Sequence, residues 1–114
     1  MYEQRRWGEY RVMDASVFPD GAKAITKELI VRSGGQLSYQ RHAHRSEVWT
    51  IVSGTVEVVL DGLVQQVRAG SVVQIPFKTL HAARAIDRDM HVVEVQQGET
   101  LVEEDIERFG NFWN

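Results

Sequence analysis

From Glu47 onward the chain never runs far before it meets a turn former. Gly54, Asp61-Gly62, Gly70, Pro76, the polar run Asp87-Arg88-Asp89 and Gly98 punctuate it, and between them lie short segments rich in valine and isoleucine. Such segments fit β-strands, whose branched side chains pack well on a pleated surface. Asp61-Gly62 is the strongest turn signal, because a type I′ turn needs positive φ at both central residues. Thr55–Leu60 and Leu63–Arg68 are therefore expected to form a hairpin. Further strands are expected at Ala22–Arg32, Gln36–His44, Glu47–Ser53, Ser71–Ile75, His81–Ile86 and His91–Gln96. Short strands at roughly 8–12-residue spacing describe an all-β sandwich or barrel. No βαβ alternation is visible, which argues against a nucleotide-binding α/β fold. One helix is expected near the end: Thr100 and Glu103 have the spacing of a capping box, and Leu101, Ile106 and Phe109 offer an apolar stripe. The aromatic tail Phe109–Trp113 is expected to cover the barrel.

A chain of 114 residues suits one domain, so residues 1–114 are read as a single unit with a core barrel at about 22–97. Thirteen basic against sixteen acidic side chains leave a formal charge of −3, which disfavours a nucleic-acid partner. The chain has no cysteine, which excludes disulfides, a thiolate nucleophile and a Cys-based zinc site. It has neither a long apolar span nor a signal-like N-terminus, and the expectation is a cytoplasmic protein without a membrane partner.

The chemistry concentrates in two segments. In Gly35–Glu47 the alternation of a strand would send Gln40, His42 and His44 to one side, and Glu47 follows after a short turn. In Gly70–His81 another histidine comes just after a proline turn. His42, His44, Glu47 and His81 together offer three imidazoles and one carboxylate without sulfur. That set suits Zn, Fe, Mn, Co or Ni rather than a structural Cys-zinc site. The reading requires the four groups to converge on one cavity. His91 lies outside the pattern and is read as structural.

These two segments resemble the two motifs of the cupins, over roughly Lys27 to Gln97. A closer resemblance is to the C-terminal cupin domain of type II phosphomannose isomerases, many of which are fused to a mannose-1-phosphate guanylyltransferase. It is carried by Trp7-Gly8 with Tyr10, Gly34-Gly35, Leu37-Ser38, Gln40-Arg41-His42, His44-Arg45-Ser46-Glu47 with Trp49, and Val52-Ser53-Gly54-Thr55. Ile75-Pro76, Thr79, His81, Glu94-Val95-Gln96, Gly98-Glu99, Asp105-Ile106 and Arg108-Phe109 continue it. Arg45-Ser46-Glu47 keeps the Arg-x-Glu pattern associated with the isomerase site, whereas Ala43, Val48 and Ala82 depart from the family's usual His, His and Arg. The resemblance implies a jelly-roll barrel (a double-stranded β-helix) with its site inside, a bound divalent ion and a homodimer. It also implies a sugar phosphate as ligand and the interconversion of mannose 6-phosphate and fructose 6-phosphate.

That isomerisation moves a proton between C1 and C2, so it needs both a base and stabilisation of an enediolate. Two ligand assignments are open: His42, His44, Glu47 and His81, with Gln40 as a neighbouring contact, or Gln40, His42 and His81 with help from His44, which frees Glu47 as the base. The first is favoured for metal binding. Arg45 is the first choice for the phosphate, with Lys78, Arg41 and Arg84 as alternatives, and Trp49 either stacks on a sugar face or fills the core. Two other readings compete with the isomerase. One is a binding module that holds a sugar without turning it over, and the other is an Fe(II) cupin that uses oxygen.

Overall fold

Side-chain alternation sorts the long strands of this chain into a dry and a wet face. The structure, a computed structural model, describes residues 2–114. It contains β1 (Tyr2–Arg5), β2 (Gly8–Val17), β3 (Lys23–Val31), β4 (Gln40–Arg41), β5 (Ser46–Ser53), β6 (Thr55–Leu60), β7 (Leu63–Arg68), β8 (Val72–Ile75), β9 (His81–Ala85), β10 (Met90–Gly98) and β11 (Glu107–Arg108). In β5 the buried set is Glu47, Trp49 and Ile51; in β10 it is Met90, Val92, Glu94 and Gln96. The period of two holds even where the buried residue is polar.

The strands form two sheets with only antiparallel pairings, in the orders β1-β2-β3-β10-β5-β8 and β11-β4-β9-β6-β7. Neighbours far apart in sequence, β3 beside β10 and β4 beside β9, are the crossovers of a jelly roll. Val31, Trp49, Ile51, Val56, Val58, Met90 and Val92 are almost wholly buried within the core. Each such side chain contributes about 1.5–3 kcal/mol by leaving water. The expected hairpin is present: Thr55 pairs with Arg68 and Leu60 with Leu63, around Asp61 at φ 46° and Gly62 at φ 83°.

Two expectations need correction. No helix forms among the described residues, and so none is long and apolar enough to cross a membrane. The stretch from Thr100 instead turns and then extends, so that Glu107 and Arg108 pair with Arg41 and Gln40 of β4. Glu103 reaches Lys27 at 3.3 Å rather than capping its own turn. Ahead of the expected core, β1 and β2 extend one sheet at its edge. Gly8 allows this: a Cβ there would lie 1.9 Å from the Ile30 carbonyl oxygen, so the β1–β2 turn rests directly on β3. Finally, Gln36–His44 is not one strand; only Gln40–Arg41 is, with an isolated bridge at Gln36.

The aromatic tail packs down as expected. Phe112 meets Tyr39 at 5.2 Å between ring centroids, and Arg84 lies 5.0 Å over the Trp113 ring. The Phe109 N–H donates to the Tyr39 carbonyl at 2.8 Å, which ties this C-terminal strap to the segment leading into β4.

Candidate functional site

Because β4 ends at Arg41, the alternation that would have aligned His42 with His44 stops there. Asp105 takes over the backbone: its carboxylate accepts the Ala43 N–H at 2.8 Å and the His44 N–H at 2.9 Å, and its carbonyl faces His42 Nδ1 at 2.8 Å. On the far side of the bend, Gly98 lets β10 approach; a Cβ there would stand 2.3 Å from the His44 carbonyl oxygen. The bend turns His42 inward and His44 out to solvent.

A carbonyl can only accept, so His42 carries its proton on Nδ1 and leaves the Nε2 lone pair facing Glu47 and Arg45. His81, at the start of β9, is fixed in the same way by the Thr79 carbonyl at 2.9 Å. Glu47 lies between them, 3.2 Å from His42 Nε2 and 3.8 Å from His81 Nε2. One ligand atom from each of His42, Glu47 and His81 falls within 4.8 Å of the others, and all three residues are buried. Two acceptors 3.2 Å apart repel unless a donor or cation serves both. Arg45 does so here, with Nε 2.8 Å from Glu47 and Nη2 3.1 Å from His42 Nε2.

Burial first, and then the Arg45 charge, pushes the His42 pKa down to about 4, and burial lowers that of His81 as well. Both imidazoles are therefore neutral at pH 7, the state in which imidazole ligates a metal. Two neutral nitrogens and a carboxylate oxygen, without sulfur, fit a divalent Zn, Co, Mn, Ni or Fe ion.

A second buried carboxylate stands in the same cavity. The Trp49 indole N–H is shared between Glu47 at 3.0 Å and Glu94 at 3.1 Å, and Gln96 donates its amide to Glu94 at 2.7 Å. Burial first, then the Glu47 charge, raises the Glu94 pKa to about 7. The cavity, about 400 Å³, is lined by both sheets and by the C-terminal strap. That volume lies in the range of small-molecule sites, about 300–1,000 Å³.

Of the residues singled out from sequence, Gln40, Arg45, Glu47, Trp49 and His81 line this cavity, and His42 completes the ligand cluster with Glu47 and His81. Gln40 is held through its amide nitrogen by Ser38. His44 is not brought to the cluster, because the strand on which it was placed ends three residues earlier. Lys78 is exposed, with φ 63°, beside a separate cavity that it shares with Arg41, Ala43 and Glu107. Arg84 is paired with Glu57 at 2.6 Å, and Arg41 with Glu107 at 2.8 Å. Trp49 is buried with its indole N–H engaged, so it is a core residue that also forms cavity wall. His91 reaches Glu28 at 2.8 Å on the outer face, in keeping with a structural role.

Sequence reading did not single out Glu94, Gln96, Asp105, Arg6 or Arg108 as site residues. For the first two a signal existed: they continue the alternating inner set of Met90 and Val92, where a carboxylate is out of place unless it is used. Asp105 and Arg108 were among the residues that carry the family resemblance, but nothing local gave them or Arg6 a role, because their positions depend on the strap and the N-terminal hairpin.

The family model described as "Mannose-6-phosphate isomerase C-terminal" matches residues 2–111. The chain is 38% identical over 106 residues to the alginate biosynthesis protein AlgA of Pseudomonas putida, a match covering 92% of this chain and 21% of that protein. It is 32% identical over 108 residues to a mannose-1-phosphate guanylyltransferase of Escherichia coli, covering 94% of this chain and 22% of that one. It thus spans only about a fifth of the length of these relatives. Among solved structures, the capsular polysaccharide assembling protein CapF of Staphylococcus aureus shares the fold, with a TM-score of 0.76 at 16% identity over 96% of this chain and 34% of that one.

Proposed function

The chain belongs to the mannose-6-phosphate isomerase C-terminal family, and on that premise we propose that it is a metal-dependent sugar-phosphate isomerase domain that interconverts mannose 6-phosphate and fructose 6-phosphate. The observation that carries the reading is the buried His42–Glu47–His81 cluster with a second carboxylate, Glu94, beside it, sharing the Trp49 N–H with Glu47. His42, Glu47 and His81 are the residues that would hold a divalent ion, with Gln40 beside them. Such an ion supplies Lewis-acid stabilisation of the oxyanion that develops at C1 and C2, and one interaction of this kind is worth about 3–4 kcal/mol.

The remaining work falls to the chain's own groups. Glu47 is committed to the imidazoles and to Arg45, so it serves as a ligand rather than as a free base. Arg45 holds that carboxylate in place. Glu94 suits the transfer of the C2 proton: it is a buried carboxylate beside the ligand cluster, aimed by Trp49 and Gln96. The buried walls of Trp49 and Leu29 keep bulk water from the transferring proton.

The test is a coupled assay for fructose 6-phosphate formed from mannose 6-phosphate, with zinc, cobalt, manganese, nickel or iron supplied in turn. Turnover with at least one ion and none after chelation is expected. Binding of mannose 6-phosphate without turnover on any ion would identify a binding module instead.

A further inference from the structure

A phosphorylated sugar needs cations, and most of the positive charge around the cavity is already engaged. Arg45 is paired with Glu47 at 2.8 Å, Lys27 with Glu103 at 3.3 Å, and Arg5 with Glu3 at 2.9 Å. Arg6 and Arg108 also line the cavity and are exposed, and their side chains make no hydrogen bond or ion pair among the described residues. We propose that Arg6 and Arg108 form an anion-binding rim that takes the phosphate of the sugar phosphate and leaves the sugar's carbonyl end to the buried carboxylates and imidazoles. The proposal rests on the sugar-phosphate reading of the cavity and deepens it by assigning which end of the ligand goes where.

Three observations carry it. First, the cavity is polar end to end in charge: its floor holds Glu47 and Glu94, both almost wholly buried, while its unpaired cations are at the solvent side. A phosphate dianion is repelled by that floor and attracted by that rim. Second, the backbones that carry the two arginines are fixed although the side chains are free. Arg6 is in the β1–β2 turn, which Gly8 seats against β3, and Arg108 lies in β11, paired with Gln40 of β4. Third, the whole chain carries a formal charge of −3, so two unpaired guanidiniums at one opening are a local reversal of its field. Guanidinium binds phosphate through a planar, two-pronged contact, which favours arginine over lysine in this role.

The experiment compares mannose 6-phosphate with mannose by isothermal titration, on the full chain loaded with the ion that supports binding. Wild-type protein is expected to bind the phosphorylated sugar more tightly, with the preference shrinking as salt rises. Arg6→Gln and Arg108→Gln should each cut the affinity ratio of the two sugars by about tenfold, and the double variant should bring it close to one. Arg88→Gln, in the turn before β10 and outside the cavity lining, controls for net charge and should leave the ratio unchanged. A wild-type preference that survives in the double variant overturns the rim but spares the sugar-phosphate reading. Failure of wild-type protein to bind either sugar, with any ion, overturns that underlying reading as well. Unchanged circular dichroism and melting of the variants confirm that the comparison is between folded proteins.

Discussion

His42 gives its Nδ1 proton to the Asp105 carbonyl at 2.8 Å, and that contact leaves Nε2 as the nitrogen that meets Glu47. His42→Ala and His81→Ala are therefore expected to lower metal affinity by about 100-fold or more, beyond what loss of an outer-shell partner costs. His44→Ala should leave metal content unchanged, since that side chain points to solvent. Elemental analysis of the purified variants checks all three. The pH dependence of the metal-free protein follows from two groups of opposite sign. His42 stays neutral in the folded chain down to about 4, against an ordinary value of 6.5, so stability falls as pH drops from about 6.5 to about 4. Lowered His81 adds to that direction. Glu94 keeps its proton up to about 7 when folded, against 4.5, so its contribution falls as pH rises from about 4.5 to about 7. The His42 and Glu94 contributions therefore run in opposite directions over the same pH range. Glu94→Gln removes the group whose contribution falls as pH rises, and its melting temperature should climb from pH 4.5 to 6.5 more steeply than that of wild type; parallel profiles would contradict the assignment.

Elements differ in how much of them local sequence determines. The β6–β7 hairpin was legible because Asp61-Gly62 specifies its own turn, and Thr55–Leu60 and Leu63–Arg68 fall where the turn puts them. The segment that carries His42 and His44 was not, because its bend is imposed from outside by Asp105 and by the close approach of β10 at Gly98. The expected helix failed for a related reason. A capping-box spacing at Thr100 and Glu103 is a weak local preference, and it lost to the Glu103–Lys27 pair and to the exposed edge of β4, which β11 fills. Gly98→Ala tests the element-level account. Its Cβ would collide with the His44 carbonyl oxygen, so a loss of about 1–3 kcal/mol is expected, read as a lower melting temperature together with weaker metal retention. An unaffected variant would mean that the bend does not depend on that contact.

At the scale of the molecule, the barrel and the family resemblance were both open to sequence reading, because periodic turns and two spaced histidine segments span most of the chain. The cavity's charge layout was not, since Arg6 and Arg108 are about a hundred residues apart and reach the same cavity only through the folding of the sheet edges. The strap that brings Arg108 to the opening also carries Asp105, three residues earlier, whose carbonyl orients His42. On the proposed reading, the anion would meet Arg108 and the ion would meet the His42 that Asp105 orients, both served by one short stretch of backbone. If the proposed ion and anion both bind, thermodynamic reciprocity requires that whatever help the ion gives to anion capture the anion returns to ion retention in equal measure.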